Sequence, residues 1–504
     1  MRRLRAYLPL LLLLCLGLQA FGQDLASFEK RVTVKKLANG LTIVLCRRTE
    51  SPTFSFFTIV DVGSAQDPKG ETGIAHMMEH MAFKGTYDIG TTNYPAEKIA
   101  LAKVEKAYAT YRDERLKVIG RDEAKIAAAK KVWEEARTAA NKYAIKNAYG
   151  KIVEEEGGVG MNASTSYDST QYFYSMPINR LQLWAYLESD RMMHPVMREF
   201  YKERDVVTEE RRMRVDSSPM GRALEQFTSV AFDSNPYHRP TVGYPGDLRY
   251  FSATQALQFF DKYYVPSNMV IAVVGDLDPA TALPIMEKYF GRIPGKPKPL
   301  EYSTPELPQD SERQVILKEP MQPIYIEGYH RPDYLDPDDA TYTVIADLMS
   351  DGRTSRLYRA LVEKKKIAAY AAGFSGFPGS KYANMFAFYG VPLPGHTDQQ
   401  IADAIHEEID KVKTQDVSDA ELKMIKTRER AALIRSLASN AGLAQNLAVM
   451  QLRYGNWQEL FNQLNAIDKV SKADIRRVAN KVFVSTNRTV GYIENSNAAT
   501  KGAK

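Results

Sequence analysis

The sequence has little cysteine, little excess charge and few long apolar runs. Its 504 residues include two cysteines, and 67 Lys+Arg against 61 Asp+Glu leave an excess of only +6. So small an excess, spread along the chain, argues against nucleic acid as a partner. The 44% hydrophobic and 25% charged residues are typical of a folded protein and exclude a disordered or collagen-like chain.

The one long apolar run lies at the N-terminus. Residues 1–22 combine a basic start, an apolar stretch and small residues near Gly22, which predicts a secretory signal cleaved after Gly22. An uncleaved anchor is the alternative, although the run is short for a membrane span. No other stretch is apolar enough to span a membrane, and Cys46 alone would remain, which excludes an intrachain disulfide. We expect an exported protein, periplasmic as first choice and secreted as second.

The rest of the chain shows an internal repeat. Residues 251–275 and 470–494 align without gaps, with Ser252 opposite Ser471 and Asn268 opposite Asn487, and each reads as helix, turn and strand. The repeat predicts two related α+β domains, at about 25–293 and 312–495, each a mixed or antiparallel sheet with packed helices. A proline-rich linker at 294–311 would join them.

An Ala/Lys/Glu-rich stretch covers residues 97–150. Its helical spacing, with a break near Gly120–Asp122, predicts a helical hairpin. Two interpretations remain open, a solvated surface projection and a specific binding device.

Two histidines and a glutamate occur together in the segment TGIAHMMEHMAFKGT. His76 and His80 are four residues apart and therefore share one helix face, so that both imidazoles can reach one metal ion. Glu79 lies beside them, where it can act on water at the metal. The alternative is a pair of hydrogen-bonded core histidines. Burying three ionisable groups in an apolar helix favours the metal, because a cation compensates the cost.

A third ligand has to come from elsewhere in the chain. Residues 197–216 read as one charged helix, on which Glu203 and Glu210 are two turns apart and share a face, while Glu209 points away. A carboxylate taken at random from such a helix is usually a solvated surface residue. The pattern alone therefore leaves the third ligand open.

The motif His76-x-x-Glu79-His80 resembles the inverted zinc motif of the pitrilysin/insulinase metallopeptidases, in the branch of the mitochondrial processing peptidase and its bacterial relatives. The resemblance continues through residues 162–165, 203–207, 237–243 and 264–275. It implies paired domains in a clamshell around a chamber and one Zn²⁺ per chain. The ligands it implies are His76, His80 and Glu210, with Glu203 in support.

The family's substrate-binding edge strand falls on Asn162, Ala163 and Ser164, where a peptide would add as a β-strand. The family usually leaves about 76 residues between the second histidine and the third ligand, whereas Glu210 follows His80 by 130. The hairpin at 97–150 accounts for the excess, and a surface insertion of this kind costs little stability.

The second domain departs from the metal motif. At an offset of 271, His76 faces Asp347, Glu79 faces Ser350 and His80 faces Asp351. The resemblance further implies an arginine seven residues before a tyrosine, as a pair that binds substrate. Tyr370 fits the tyrosine, but Glu363 stands at the arginine position.

The missing arginine predicts a partner chain. We expect a heterodimer with a paralogue that carries the arginine–tyrosine pair. A homodimer is the other pairing, and a shifted Arg356, Arg359 or Lys364 is the alternative source of the charge. The expected activity is a zinc endopeptidase acting on short or unfolded polypeptides. The rival is a non-catalytic structural or chaperone-like subunit of the same fold.

Overall fold

The computed structural model of the protein describes residues 28–301 and 304–496. The predicted signal, residues 1–22, lies outside the described residues. The first half holds six strands: β1 Val32–Lys36, β2 Thr42–Arg47, β3 Thr53–Val60, β4 Val159–Thr165, β5 Thr170–Pro177 and β6 Met269–Gly275.

The helices of the first half include the predicted hairpin. They are α1 Ile74–Met81, α2 Tyr94–Leu116, α3 Glu123–Asn141, α4 Ala148–Glu155, α5 Leu181–Met193, α6 Phe200–Arg211, α7 Pro219–Ala231, α8 Pro245–Tyr250, α9 Ala253–Tyr263 and α10 Pro279–Phe290. A π-helical turn, Arg212–Asp216, continues α6. The segment predicted as one helix from 197 to 216 thus begins at Phe200, because Glu199 adopts a left-handed φ of 54°.

The second half repeats this arrangement with fewer elements. Its strands are β7 Arg313–Glu319, β8 Ile324–Arg331, β9 Ala368–Phe377, β10 Asn384–Pro392 and β11 Arg488–Asn495. Its helices are α11 Asp339–Ser350, α12 Asp398–Thr414, α13 Asp419–Ser436, α14 Asn440–Tyr454, α15 Glu459–Lys469 and α16 Lys472–Val482, with a π-helical turn at Tyr358–Lys364.

The second sheet repeats the topology of the first without a counterpart of β1. The first has the order β1-β2-β6-β3-β5-β4 and the second β7-β11-β8-β10-β9. Strand β6 runs parallel to β2 and antiparallel to β3, as β11 does to β7 and β8. Asn268 and Asn487 each donate to the backbone carbonyl five residues earlier, at 3.0 and 3.1 Å. The α+β class and the duplication are confirmed.

Each sheet is covered on one face by a helix from the other half. Helix α14 packs on β3 and β6, where Leu443 and Leu447 meet Phe57 in one buried cluster. Helix α7 reciprocally places Phe227 against Ile326 of the second sheet. Strands such as β6 are buried on both faces and apolar throughout, so each sheet needs a second layer, which the partner half supplies.

Polar contacts also join the halves. The Asp168 carboxylate, in the turn between β4 and β5, accepts hydrogen bonds from the backbone nitrogens of Ser380 and Lys381 at 2.8 and 3.2 Å. The Lys381 ammonium lies 2.5 Å from an oxygen of Asp61. Cys46 is buried in the packing between halves. Among the described residues, none of the helices combines the length and the apolarity that crossing a bilayer would require.

Candidate active site

The motif helix α1 starts at a strongly constrained position. Gly73 precedes it at a φ of 91°, and a Cβ there would lie 2.7 Å from the carbonyl oxygen of Val242. The buried Asp67 carboxylate accepts hydrogen bonds from the backbone nitrogens of Gly73 and Ala75, at 2.7 and 3.0 Å. These bonds satisfy two amides that the first turn of a helix leaves without partners. Asp67 thereby fixes where the helix begins and which face it presents.

Both histidines of the motif point toward Glu210 on helix α6. The Nε2 atoms of His76 and His80 lie 3.6 and 3.3 Å from the two oxygens of the Glu210 carboxylate. One donor atom from each of the three side chains falls within 4.8 Å of the others. Two imidazoles and one carboxylate form the donor set of catalytic zinc sites that keep one position open. The residues therefore fit a zinc ion.

Glu203 contacts His80 on the ring nitrogen that faces away from Glu210. Its Oε1 lies 3.1 Å from Nδ1 of His80, and its Oε2 pairs with the Lys84 ammonium. A carboxylate on Nδ1 fixes the tautomer that leaves Nε2 free to ligate, and it makes the imidazole a stronger donor. Glu203 and Glu210 thus share the inward face of α6. Glu209 takes no part in this cluster: it is 61% exposed and pairs with Arg212 at 2.8 Å.

Glu79 stands at the edge of the ligand cluster. Its Oε2 accepts a hydrogen bond from the Thr165 hydroxyl of strand β4 at 2.6 Å. Burial raises the pKa of Glu79, and this hydrogen bond partly opposes the increase. A carboxylate with a raised pKa is better suited to exchanging a proton near neutral pH.

The two histidines have opposite electrostatic environments. Burial and the neighbouring His80 lower the pKa of His76 to about 4. Burial alone would also lower the pKa of His80, but hydrogen bonds to Glu203 and Glu210 outweigh it and raise that pKa to about 9. The hydrogen bond from His80 lowers the pKa of Glu210. Near neutral pH His80 is therefore protonated and paired with the Glu203 and Glu210 carboxylates, and a metal ion that binds there must displace this proton.

These side chains line one wall of a cavity of about 1500 Å³ between the halves. Asn162, Ala163 and Ser164 line it as part of β4, the edge strand of the first sheet. The second half contributes Phe377 and Pro378. This placement confirms the predicted clamshell arrangement of two sheets around a cleft.

Tyr370 lies apart from the metal-ligand cluster. It is 50% exposed on strand β9, its ring is 5.4 Å from that of Tyr389, and it is absent from the lining of the cavity. Arg356, one alternative source of positive charge, pairs with Glu421 at 3.2 Å. Within the described residues, neither side chain belongs to the cluster of His76, His80 and Glu210 or lines the cavity beside it.

The second half holds an ion pair at the position that corresponds to the two histidines. Asp347, which aligns with His76, is buried and lies 2.6 Å from the Arg428 guanidinium. Asp351, which aligns with His80, contacts the same guanidinium at 3.2 Å. In the described residues, the only group of three clustered metal-ligand side chains is that of His76, His80 and Glu210.

The insertion hairpin braces the helix that carries the two glutamates. Trp133 of α3 packs against Tyr201 of α6, with ring centroids 5.2 Å apart, and Arg204 donates to the Tyr108 hydroxyl at 2.6 Å. Tyr201 in turn donates to Glu105 at 2.5 Å. The insertion is therefore packed onto the first half rather than loosely attached to it.

Sequence reasoning missed several supporting residues. They are Asp67, Lys84, Thr165 and Arg214, the last of which lies 2.8 Å from Glu210. Arg214 follows Glu210 by four residues, and this helical spacing is a usable signal for the contact. Lys84 contacts Glu203 and Thr165 contacts Glu79 across long stretches of chain, so no local pattern reports these two contacts. Asp67 bonds backbone amides six and eight residues later, outside the regular helical spacings.

Comparison with family models identifies the chain. The model "Insulinase (Peptidase family M16)" matches residues 43–109, which include the whole of α1. The model "Peptidase M16 inactive domain" matches residues 250–429, which include Asp347 and Asp351. The chain belongs to the pitrilysin/insulinase family. The resemblance seen in the sequence is thus confirmed.

Relatives in this M16 family match over nearly the whole chain. The zinc protease PqqE of Helicobacter pylori is 27% identical, covering 96% of each chain. The mitochondrial-processing peptidase subunit beta of Saccharomyces cerevisiae is 23% identical, covering 92% of this chain and 91% of its own. A protease structure from Helicobacter pylori superposes with a TM-score of 0.76 at 25% identity, covering 92% of this chain and 99% of that one.

A further solved structure relates this M16 chain to a longer protein. The first half of the periplasmic protease PqqL from Escherichia coli superposes with a TM-score of 0.66 at 19% identity, covering 94% of each chain. Against the whole of PqqL the match covers 95% of this chain but only 49% of that one. In fold, this chain therefore corresponds to half of PqqL.

Proposed function

We propose that the protein is an exported zinc endopeptidase that cleaves short or unfolded polypeptides. The observation that carries the proposal is the convergence of His76, His80 and Glu210 within 4.8 Å in a large cavity, with Glu79 beside them. The naming of relatives as zinc proteases supports both the metal and the reaction. Export is supported by the signal-like N-terminus and by the periplasmic origin of PqqL.

The ligand set would hold one zinc ion per chain, and the protein would organise the rest. Zinc in such a site acts as a Lewis acid that polarises the scissile carbonyl and makes water more acidic. Glu79 would accept the proton of the attacking water on its carboxylate and later deliver it to the leaving amine. Glu203 would keep the His80 ring in place, since it contacts Nδ1 at 3.1 Å.

The substrate would bind as an added strand along β4. This strand pairs with β5 on one side only, through Asn162–Phe173 and neighbouring pairs, which leaves its other edge to receive an extended peptide. Backbone pairing is independent of side chains and therefore tolerates many sequences. An edge strand inside a cleft admits extended chains and excludes folded domains, which accounts for the proposed substrate class.

The working particle would contain two chains. The correspondence to half of PqqL supports this, as does the position of Tyr370 on β9, away from the ligand cluster. The heterodimer partner would be a paralogue that supplies the arginine–tyrosine pair across a shared chamber; a homodimer is the second form. The test assays this chain alone and with the candidate paralogue, after zinc content is matched. Full specific activity of the isolated chain, unchanged by the partner, would rule the heterodimer out.

The catalytic role is tested by Glu79→Gln. The change is nearly isosteric and removes the proton acceptor, so we expect peptide hydrolysis to fall by about 10²–10⁴-fold with zinc retained. Glu209→Gln, a change of the same kind at an exposed glutamate, is the matched control. Near-full activity of zinc-replete Glu79→Gln would refute the assignment.

A non-catalytic subunit of the same fold is the second candidate. The match of the second half to an inactive-domain model and the fold similarity to a chain of a Complex III₂ structure, with a TM-score of 0.67, favour it. Bound zinc without turnover of any quenched peptide, even with a candidate paralogue present, would select this reading.

A further inference from the structure

The apex of the insertion hairpin exposes bulky apolar side chains. The loop between α2 and α3 carries Val118 and Ile119, which are 95% and 90% exposed, and Leu116, at the end of α2, is 49% exposed. Among the described residues the next most exposed large apolar side chain, Leu300, reaches 73%. Two adjacent, almost fully solvated β-branched residues at one convex point indicate a surface that is covered in use.

The apex extends beyond the body of the protein. Arg112, which donates to Gln255 at 3.2 Å, makes the outermost polar contact between the hairpin and the rest of the chain. For residues 113–131 the side-chain hydrogen bonds and ion pairs described by the structure stay within the hairpin, such as Lys117 with Glu114 and Arg121 with Glu123. The helix rises about 1.5 Å per residue, so the apex projects on the order of 10 Å past the last contact.

The hairpin is also where the positive charge of the chain is concentrated. Residues 97–150 contain 13 Lys/Arg and 8 Asp/Glu, a net charge of 13 − 8 = +5. Residues 23–504 together carry 64 − 61 = +3, so the remainder of that chain carries 3 − 5 = −2. Exposed lysines along both helices, among them Lys103, Lys106, Lys130 and Lys131, provide the excess. A basic helical element with exposed apolar residues is typical of a membrane-surface segment.

The size of the apex distinguishes between classes of partner. A stable protein interface buries about 800 Å² on each side, more than two or three side chains at a convex tip supply. Interfacial insertion requires only that apolar side chains reach about 5–10 Å into the boundary between headgroups and acyl chains. We propose that Val118 and Ile119 insert into an anionic phospholipid surface, with the exposed basic residues of the apex, Lys117, Arg121 and Lys125, at the headgroups.

This contact is peripheral and reversible. It would place the catalytic half beside a bilayer, because α2 and α3 are packed onto the metal-ligand helix through Trp133 and Tyr108. The inference is independent of peptidase activity, since none of the apex residues lines the cavity between the halves.

The test places an environment-sensitive nitrobenzoxadiazole probe at the apex of the chain from residue 23 onward, because the apolar run of the predicted signal would itself bind vesicles. Cys46 is then the one native cysteine and is buried, so Ile119→Cys is labelled selectively. Leu335→Cys, at a distant residue that is 63% exposed, gives the matched control. We expect a blue shift and brighter emission at 119 with mixed phosphatidylcholine/phosphatidylglycerol vesicles, reversed by salt, and no change at 335.

A second measurement checks the side chains themselves. In vesicle co-sedimentation, Val118→Ser/Ile119→Ser should weaken the salt-sensitive binding at least about tenfold relative to Leu335→Ser, with peptide hydrolysis unchanged. Three results would overturn the proposal. They are an unshifted probe at 119 with anionic vesicles, equal binding by the double variant, and a probe shift on adding a second protein chain without lipid.

Discussion

Removing the charge of Glu203 should weaken zinc binding without removing a ligand. Glu203 lies behind His80, with its Oε1 at 3.1 Å from Nδ1 and its Oε2 on Lys84, and it is half-buried on the inward face of α6. Glu203→Gln retains the shape and a neutral acceptor, whereas Glu203→Ala removes the contact. Glu203→Gln therefore tests the negative charge beside His80, and Glu203→Ala tests the contact with His80 as a whole.

The magnitude follows from the kind of hydrogen bond that is lost. A hydrogen bond to a charged group contributes about 1.5–3 kcal/mol and a neutral one about 0.5–1.5 kcal/mol. Glu203→Gln should therefore weaken the binding free energy of zinc by about 1–1.5 kcal/mol. That corresponds to an approximately tenfold weaker zinc Kd. The alanine should approach the ~100-fold upper range seen when a histidine loses its carboxylate support.

The assay is zinc titration against a competing chelator, with peptide hydrolysis measured at saturating zinc. Glu209→Gln is the control, because this glutamate is on the same helix but pairs with Arg212 on the exposed face. The expected order of zinc affinity is wild type equal to Glu209→Gln, then Glu203→Gln, then Glu203→Ala. Equal affinity in all four proteins would show that the contact to Nδ1 does not orient His80.

Three further outcomes are expected. Glu210→Gln should lose zinc while Glu209→Gln keeps it; equal metal content of the two variants would place the third ligand elsewhere. Zinc binding at pH 7 should release about one proton, because the pKa of His80 in the metal-free site is about 9 and the ligand must be neutral; calorimetry in buffers of different ionisation enthalpy measures it, and no release would contradict it. Trp133→Ala should lower the free energy of unfolding by about 3–5 kcal/mol, against less than about 0.5 for the exposed Glu135→Ala, in denaturant titrations.

The internal repeat shows which features of the fold can be predicted from local sequence. Ser252 and Ser471 each begin a helix through a capping box, and Asn268 and Asn487 bond the same carbonyl position in each half. Such signals act within a few residues and survive after the surrounding sequence has diverged. The duplicated topology was therefore predictable, whereas the reciprocal covering of the sheets by α7 and α14 was not, since it depends on how two distant halves pack.

The candidate site likewise combines features that the sequence determines with contacts that depend on tertiary packing. The spacing of His76, Glu79 and His80 on one helix was determined by sequence alone, because the helical period places side chains four residues apart on one face. Resemblance, rather than periodicity, selected Glu210. Only the tertiary structure brought Thr165 to Glu79 at 2.6 Å, because this contact joins β4 to α1 across 86 residues of chain. Contacts between distant elements are set by how whole surfaces pack, and no local pattern encodes that.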